Sequence, residues 1–167
     1  MMTQKFPELK DAFIKVCREF NLDLDMDKIE RLVGLWNKSW MLAKPYPEVE
    51  EVLTELQAKY QLFLISNTDG FSIPQVLSKF KLDQYFEKMY LSYEQGLIKT
   101  NPKMLSKILK ENNLNPEDCV VIGDSLESDI FPAKNAGIKT VLVDRKNTRE
   151  YHPKVMSLTE LKTILSW

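Results

Sequence analysis

Asp124 and Asp129 lie five positions apart, directly after Val120-Val121-Ile122-Gly123. Two carboxylates on one short segment are hard oxygen donors. They suit Mg²⁺, which takes one or two carboxylates and keeps several waters for a phosphate to share. Lys99, in Gly96-Leu97-Ile98-Lys99-Thr100-Asn101-Pro102, supplies a cation just ahead of a helix start. Ser66-Asn67-Thr68-Asp69-Gly70 supplies a hydroxyl and a group of backbone amides. A hydroxyl, amides, an ammonium and a carboxylate pair are the parts that phosphoryl transfer requires, because its catalysis is mostly positioning plus electrostatic stabilisation of charge on the phosphoryl oxygens. Each residue also has a plainer reading. Asp124 can cap the next helix and Asp129 can be a solvated first-turn acid. Ser66 can close a strand, and Lys99 can be a surface lysine. Asn67, Thr68 and Asp69 can be turn chemistry, which is the reading that suits Asp69 best.

The elements that must hold these residues alternate. Val120 to Ile122 is an apolar β-branched run that reads as a strand buried on both faces, with Gly123 turning the chain and leaving the two aspartates at the strand's carboxyl end. In open α/β sheets that edge is where ligands bind. Leu62 to Ile65 reads as a second buried strand ending at Ser66, Lys88 to Leu91 as a weaker one, and Thr140 to Val143 as a further one. Between them come helices: one opened by Pro47 with Val49, Val52, Leu53 and Leu56 on one stripe, one over residues 72–80, one opened by Pro102, and one ending at Gly137. Ser157-Leu158-Thr159-Glu160 is a capping box for the last helix. Strands alternating with helices predict right-handed parallel crossovers and a three-layer, Rossmann-like α/β/α sandwich.

Ahead of this pattern the chain is helical throughout. Leu9, Ala12, Phe13, Val16, Cys17 and Phe20 form one stripe, and Ile29, Leu32, Val33, Trp36 and Trp40 form a second, for which Asp27 is the expected N-cap. Lys44-Pro45-Tyr46-Pro47 is a stiff hinge. The expected organisation is a helical subdomain over residues 1–44 and an α/β domain over residues 45–167.

Bulk composition removes several function classes. Lys plus Arg total 23 against 24 Asp plus Glu, a balance of −1, which gives no footprint for nucleic acid or an anionic membrane surface. No signal peptide is expected, and there is no apolar run near the roughly 18 residues of a membrane span. Cys17 and Cys119 sit in apolar patterns far apart and read as small buried hydrophobes rather than a disulfide. A soluble, cytoplasmic protein is expected.

With Ser66, Lys99 and the Gly123-Asp124-Ser125…Asp129 segment in this order on alternating strands and helices, the chain from about Tyr46 onward resembles the haloacid dehalogenase superfamily. These are aspartate-nucleophile hydrolases, most of them Mg²⁺-dependent phosphatases. The resemblance implies that Ser66 binds the transferring phosphoryl group and that Lys99 neutralises both that group and the nucleophile. It makes Asp124 a metal ligand, and Asp129 a ligand or the support of one. Asn67 joins Ser66 and Lys99 as a phosphate-binding residue. The segment Ala133-Lys134-Asn135-Ala136-Gly137-Ile138 fits the same family. The implied activity is hydrolysis of a small phosphorylated metabolite, with the helical subdomain as a small cap. Displacing halide from carbon would leave the metal pair superfluous, which disfavours a dehalogenase.

One part of the family pattern is absent from this sequence: an apolar strand ending in Asp-x-Asp-x-Thr, whose first aspartate attacks phosphorus. Leu22-Asp23-Leu24-Asp25-Met26-Asp27 has the Asp-x-Asp spacing but follows an amphipathic helix and lacks the threonine, so it reads as a helix-to-helix connection. Met1 to Gln4 reads as though the chain begins just after that motif. Two expectations follow. The chain alone should not turn over a phosphoester by the family route. The strands carrying Ser66 and Asp124 should close the gap by pairing directly, or a homodimer should complete the sheet. The alternatives to a hydrolase are a non-catalytic Mg²⁺ and phosphate-binding module, or an interaction module that presents Trp36 and Trp40.

Overall fold

The computed structural model describes residues 1–165. Eight α-helices and five strands occur among them, and every strand pairing is parallel. The chain forms two compact units. One comprises Met1–Tyr46 and Gln61–Gly96; the other comprises Pro47–Tyr60 and the chain from Leu97 onward.

In the first unit, α1 (Leu9–Glu19) and α2 (Met26–Met41) pack together, burying Leu9, Ala12, Cys17 and Ile29. The N-cap of α2 is Asp25, not the expected Asp27: Asp25 has extended backbone and its side chain accepts from the Lys28 amide at 2.9 Å, whereas Asp27 already lies inside the first turn. The Asp23–Asp25 segment is thus the solvated helix connection that its lack of a preceding strand implied. Trp36 and Trp40 are half-buried. The Trp36 ring meets Phe13 edge-on at 5.8 Å, and the Trp40 indole N–H donates to Asn37 Oδ1 at 3.1 Å. Strand β1 (Phe63–Ser66) pairs with β2 (Lys88–Leu91), the two joined through α4 (Ile73–Lys79) and followed by the single turn α5 (Ser92–Gln95).

In the second unit, β3 (Val120–Gly123), β4 (Lys139–Val143) and β5 (Lys154–Val155) form one sheet in that order. Helix α3 (Val49–Gln57) and the terminal helix α8 (Leu161–Ile164) cover its Val141 face, where Val52, Val141, Val155 and Leu161 make a closed apolar cluster with Val120, Ile122 and Val143 packed beside it. The alternate residues of β4, Thr140 and Leu142, are also buried, as the period of two requires when both faces are covered. Helices α6 (Pro102–Glu111) and α7 (Phe131–Asn135) pack on each other, and α7 also packs on β4. The capping box at Ser157–Glu160 forms as expected. Helix α3 begins at Val49, two residues past Pro47, with Glu48 ahead of it held by Arg145 at 2.8 Å.

Direct pairing of the two site-bearing strands, their full burial, and the burial of Cys119 are the expectations overturned. The strands carrying Ser66 and Asp124 do not pair directly: β1 bonds only to β2, and β3 only to β4, among the described residues. Each is four residues long and spends one edge on the strand that follows it through a crossover helix. For the same reason neither is fully buried; both are half-buried at all four positions, while β4, with a neighbour on each side, is buried from Thr140 to Leu142. Both cysteines are free; Cys17 is buried, whereas Cys119, at the mouth of β3, is half-exposed. No helix among the described residues is long and apolar enough to cross a membrane.

Candidate active site

The loop after β3 owes its shape to Gly123. A Cβ there would stand 2.5 Å from Cβ, Cγ and Oδ2 of Asp129, so only glycine lets that carboxylate fold back against the strand end. Ser125 then starts a wide turn. Its side chain accepts from the Ser128 amide at 3.1 Å, and its carbonyl accepts from both Asp129 N at 3.0 Å and Ile130 N at 3.1 Å. The second of these bonds spans five residues, which makes Leu126–Ile130 a π-helical turn. Such turns add a residue to the helical circuit and recur at functional sites. Here the extra residue swings Asp129 inward.

Asp129 is 6% exposed and both its oxygens are used. Oδ2 accepts from the Ser125 amide at 3.0 Å and Oδ1 from Lys99 Nζ at 2.5 Å. A buried carboxylate needs such a partner, because its desolvation is otherwise costly. Lys99 is held three residues before α6, whose N-cap Asn101 accepts from the Lys103 amide at 3.0 Å and whose first residue is Pro102. Its side chain is four-fifths buried, so it is not the free surface lysine of the plainer reading. Asp124, by contrast, is exposed, and its carboxylate makes no hydrogen bond or ion pair among the described residues. Its main-chain carbonyl accepts from Arg149 Nη1. A hollow of about 330 Å³ is lined by Asp124, Ser125, Leu126, Glu127 and Arg149. Sequence reasoning missed Arg149; it lies in an irregular segment after β4, with no pattern around it to single it out.

The loop after β1 belongs to the other unit. Ser66 closes β1 opposite Leu91 and is half-buried, as is Asn67. Thr68, considered above as an amide donor, is already committed: its N–H donates to Ser92 Oγ at 2.9 Å, and its carbonyl accepts from the same hydroxyl at 3.1 Å. Ser92 is fully buried and is a second residue that the sequence did not disclose. Asp69 is the turn residue expected, accepting from Phe71 N at 2.7 Å, Ser72 N at 2.9 Å and Ser72 Oγ at 2.9 Å. The structure thus brings Lys99, Asp124 and Asp129 together in one unit, while Ser66 and Asn67 lie in the other.

The donor set tests a metal. No group of three His, Cys, Asp or Glu residues among those described could hold an ion, so a cation needing a complete protein cage does not fit. An unpartnered, solvent-facing carboxylate beside one already neutralised by lysine fits a cation that draws on few protein ligands and keeps its water, as Mg²⁺ does.

A family model for haloacid dehalogenase-like hydrolases matches residues 7–143. The chain belongs to that family. It is 34% identical over 113 residues to a glyceraldehyde 3-phosphate phosphatase of Pyrococcus furiosus, covering 66% of this chain and 46% of that protein. It is 30% identical over 125 residues to the human N-acylneuraminate-9-phosphatase, covering 71% of this chain and 50% of that one. The chain therefore spans about half the length of the curated relatives it matches. Among solved structures, a HAD phosphatase from Thermococcus onnurineus superposes with a TM-score of 0.72 at 24% identity, covering 90% of this chain and 68% of that one. An aspartate-to-alanine variant of a HAD-family enzyme from Bacteroides thetaiotaomicron, in complex with magnesium and inorganic phosphate, superposes with a TM-score of 0.66 at 26% identity, covering 87% of this chain and 74% of that one. The α/β fold expected from the sequence is the fold of this family.

Proposed function

We propose that the protein is a phosphatase-type hydrolase of small phosphomonoesters, working with Mg²⁺ and with a nucleophilic aspartate that this chain does not itself contain. The observation that carries this reading is the division of labour on the β3 loop: Asp129 is neutralised by Lys99, and Asp124 is left with a free carboxylate facing solvent. A carboxylate pair serving only as helix caps would have no use for a four-fifths-buried lysine. The phosphatase relatives, and the related enzyme bound to magnesium and phosphate, support the same reading.

In this reading Asp124 holds the cation, with Asp129 as its support rather than a full ligand. When bound, Mg²⁺ would neutralise charge on the phosphoryl oxygens. Lys99 adds a fixed positive charge, and its bond to Asp129 keeps the ammonium oriented before any substrate arrives. The Ser66 hydroxyl donates to a phosphoryl oxygen, with Asn67 beside it. Residues 1–44 serve as the small cap, and the protein works in the cytoplasm. A strand supplied by a second copy is one route to filling the open sheet edges.

A release assay on an aryl phosphate with Mg²⁺ tests this. The chain alone should be silent, and a version extended at its start by an apolar Asp-x-Asp-x-Thr strand should gain turnover. Equal silence in both would sink the hydrolase reading. One observation favours a second reading: the Lys99–Asp129 pair closes without any nucleophile, so the chain can serve as a Mg²⁺ and phosphate-binding module. Under that reading the unextended chain should melt higher with both ligands present, since a ligand of the folded state raises the midpoint.

A further inference from the structure

The peptide unit between Asp124 and Ser125 is held at both ends. Its N–H donates to Asp129 Oδ2 at 3.0 Å, and its carbonyl accepts from the Arg149 guanidinium. Arg149 is in turn fixed by its own main chain. Its amide donates to Asp144 Oδ2 at 2.7 Å, and its carbonyl accepts from Lys154 Nζ at 2.5 Å. Asp144 is 1% exposed and faces Lys154 at 3.7 Å. The amide of Arg149, ahead of the charges of Arg149 and Lys154, holds the Asp144 carboxyl below the usual carboxylate range. A line of bonds therefore runs from Lys99 through Asp129, the 124–125 peptide and Arg149 to the buried Asp144–Lys154 pair. Asp124 is the one acid on that line whose carboxylate is left open.

The bonds on this peptide fix the backbone at Asp124, and with it the direction in which its side chain leaves the loop. Asp129 controls the N–H end and belongs to the family motif. Arg149 controls the carbonyl end and belongs to none of the segments that carry the resemblance. We propose that Arg149 is a positioning residue: by fixing the Asp124–Ser125 peptide it aims the Asp124 carboxylate at a divalent cation, resting on the Mg²⁺ reading given above. Partners of this kind, one bond removed from a metal ligand, typically change metal affinity about 10- to 100-fold when removed.

The test uses the whole chain with Mg²⁺ alone and, in a second titration, with inorganic phosphate, read by calorimetry and by the thermal midpoint. It compares wild type with Arg149→Ala, Arg149→Lys and Asp124→Asn. Arg149→Ala keeps the amide that binds Asp144, so its metal-free midpoint should stay near wild type. Its Mg²⁺ affinity should fall by about tenfold or more. Arg149→Lys should recover part of the loss, since one ammonium donor can reach a single carbonyl. Asp124→Asn should lose the Mg²⁺ response altogether. Hydrogen exchange at the Ser125 amide gives a readout that needs no metal: it should speed up in Arg149→Ala and return toward wild type in Arg149→Lys. Unchanged Mg²⁺ affinity in Arg149→Ala, or unchanged exchange at Ser125, would overturn the proposal. A loss of phosphate binding with Mg²⁺ affinity intact would also overturn it, making Arg149 a direct anion contact. If the wild-type chain shows no Mg²⁺ response at millimolar concentration, the metal reading fails by itself, and Ser125 exchange still decides whether Arg149 holds the peptide.

Discussion

The strand-end loops after β1 and β3 each carry a buried aspartate, and they use it oppositely. After β1, Asp69 spends its oxygens on Phe71 and Ser72, neighbours two and three residues away, and Thr68 is locked to Ser92. After β3, Asp129 spends one oxygen locally on Ser125 and the other on Lys99, thirty residues distant. In the first loop every bond of the acid stays within three residues, and it shapes a turn. The second draws in a cation from another element, which lets a further carboxylate, Asp124, stand in the same loop without a protein partner. Burial alone does not mark an acid as functional; the origin of its partner does.

Substitutions should separate the two loops by size of effect. Lys99→Ala leaves the Asp129 carboxylate buried without its charge partner. Denaturant unfolding should show a loss of about 2–3 kcal/mol, reduced from the full buried-pair value because Lys99 is partly solvated. Lys99→Ala combined with Asp129→Ala should cost less than the sum of the single changes, since the two residues form one unit. Gly123→Ala drives a methyl into Asp129 and should cost about 2 kcal/mol, with part of the loss seen as increased solvent access to Lys99. Asp69→Ala removes three local bonds and should cost about 1–2 kcal/mol with no change in any Mg²⁺ response. Acid should act on the second unit through Asp144. Its carboxyl is held below its ordinary value of 3.8, so it stabilises the fold at higher pH, and that contribution is lost as pH falls through the folded-state value. Urea midpoints followed below about pH 5 should therefore drop more steeply in wild type than in Asp144→Asn. Smallest of all, Asp124→Asn should move stability by no more than about 0.5 kcal/mol, because nothing in the fold leans on that carboxylate. A large destabilisation by Asp124→Asn would erase the contrast.

Much of this was legible in advance, for local reasons. Lys88–Leu91 and the helix opened by Pro102 sit where periodicity and proline put them. Asp124 and Asp129 stand out by their spacing and Lys99 by its place ahead of a helix start and by the family resemblance, and the three meet in one loop system. What escaped has no local signature. Strand β5 is two residues long, too short for any alternation. The π-helical turn at Leu126–Ile130 differs from an ordinary helix start by a single hydrogen bond. Asp25 and Asp27 are both competent caps by residue type, and only the backbone at Asp25 decided between them. Ser92 and Arg149 act through contacts 24 and 25 residues away, which no short window contains. The half-burial of β3 could not be seen either, because its apolar run reads the same with one neighbour strand as with two.

The path of the chain between the units bears on how the protein folds. Helix α3 lies in sequence between two segments of the first unit, yet Val52 is buried in the second, against Val141, Val155 and Leu161. On a chain emerging from the ribosome, α3 and β1 are finished long before that core exists. The apolar stripe of α3 stays without its partners until almost the last residue described here has been made. Contacts between such distant parts of a sequence slow folding, because the connecting chain must be ordered before the contact returns any stability. Neither unit can be released intact by one cut in the chain. The core that Val52 shares with Leu161 therefore closes only after residues 141–161 have been made, and the loop bearing Asp124 belongs to the same unit.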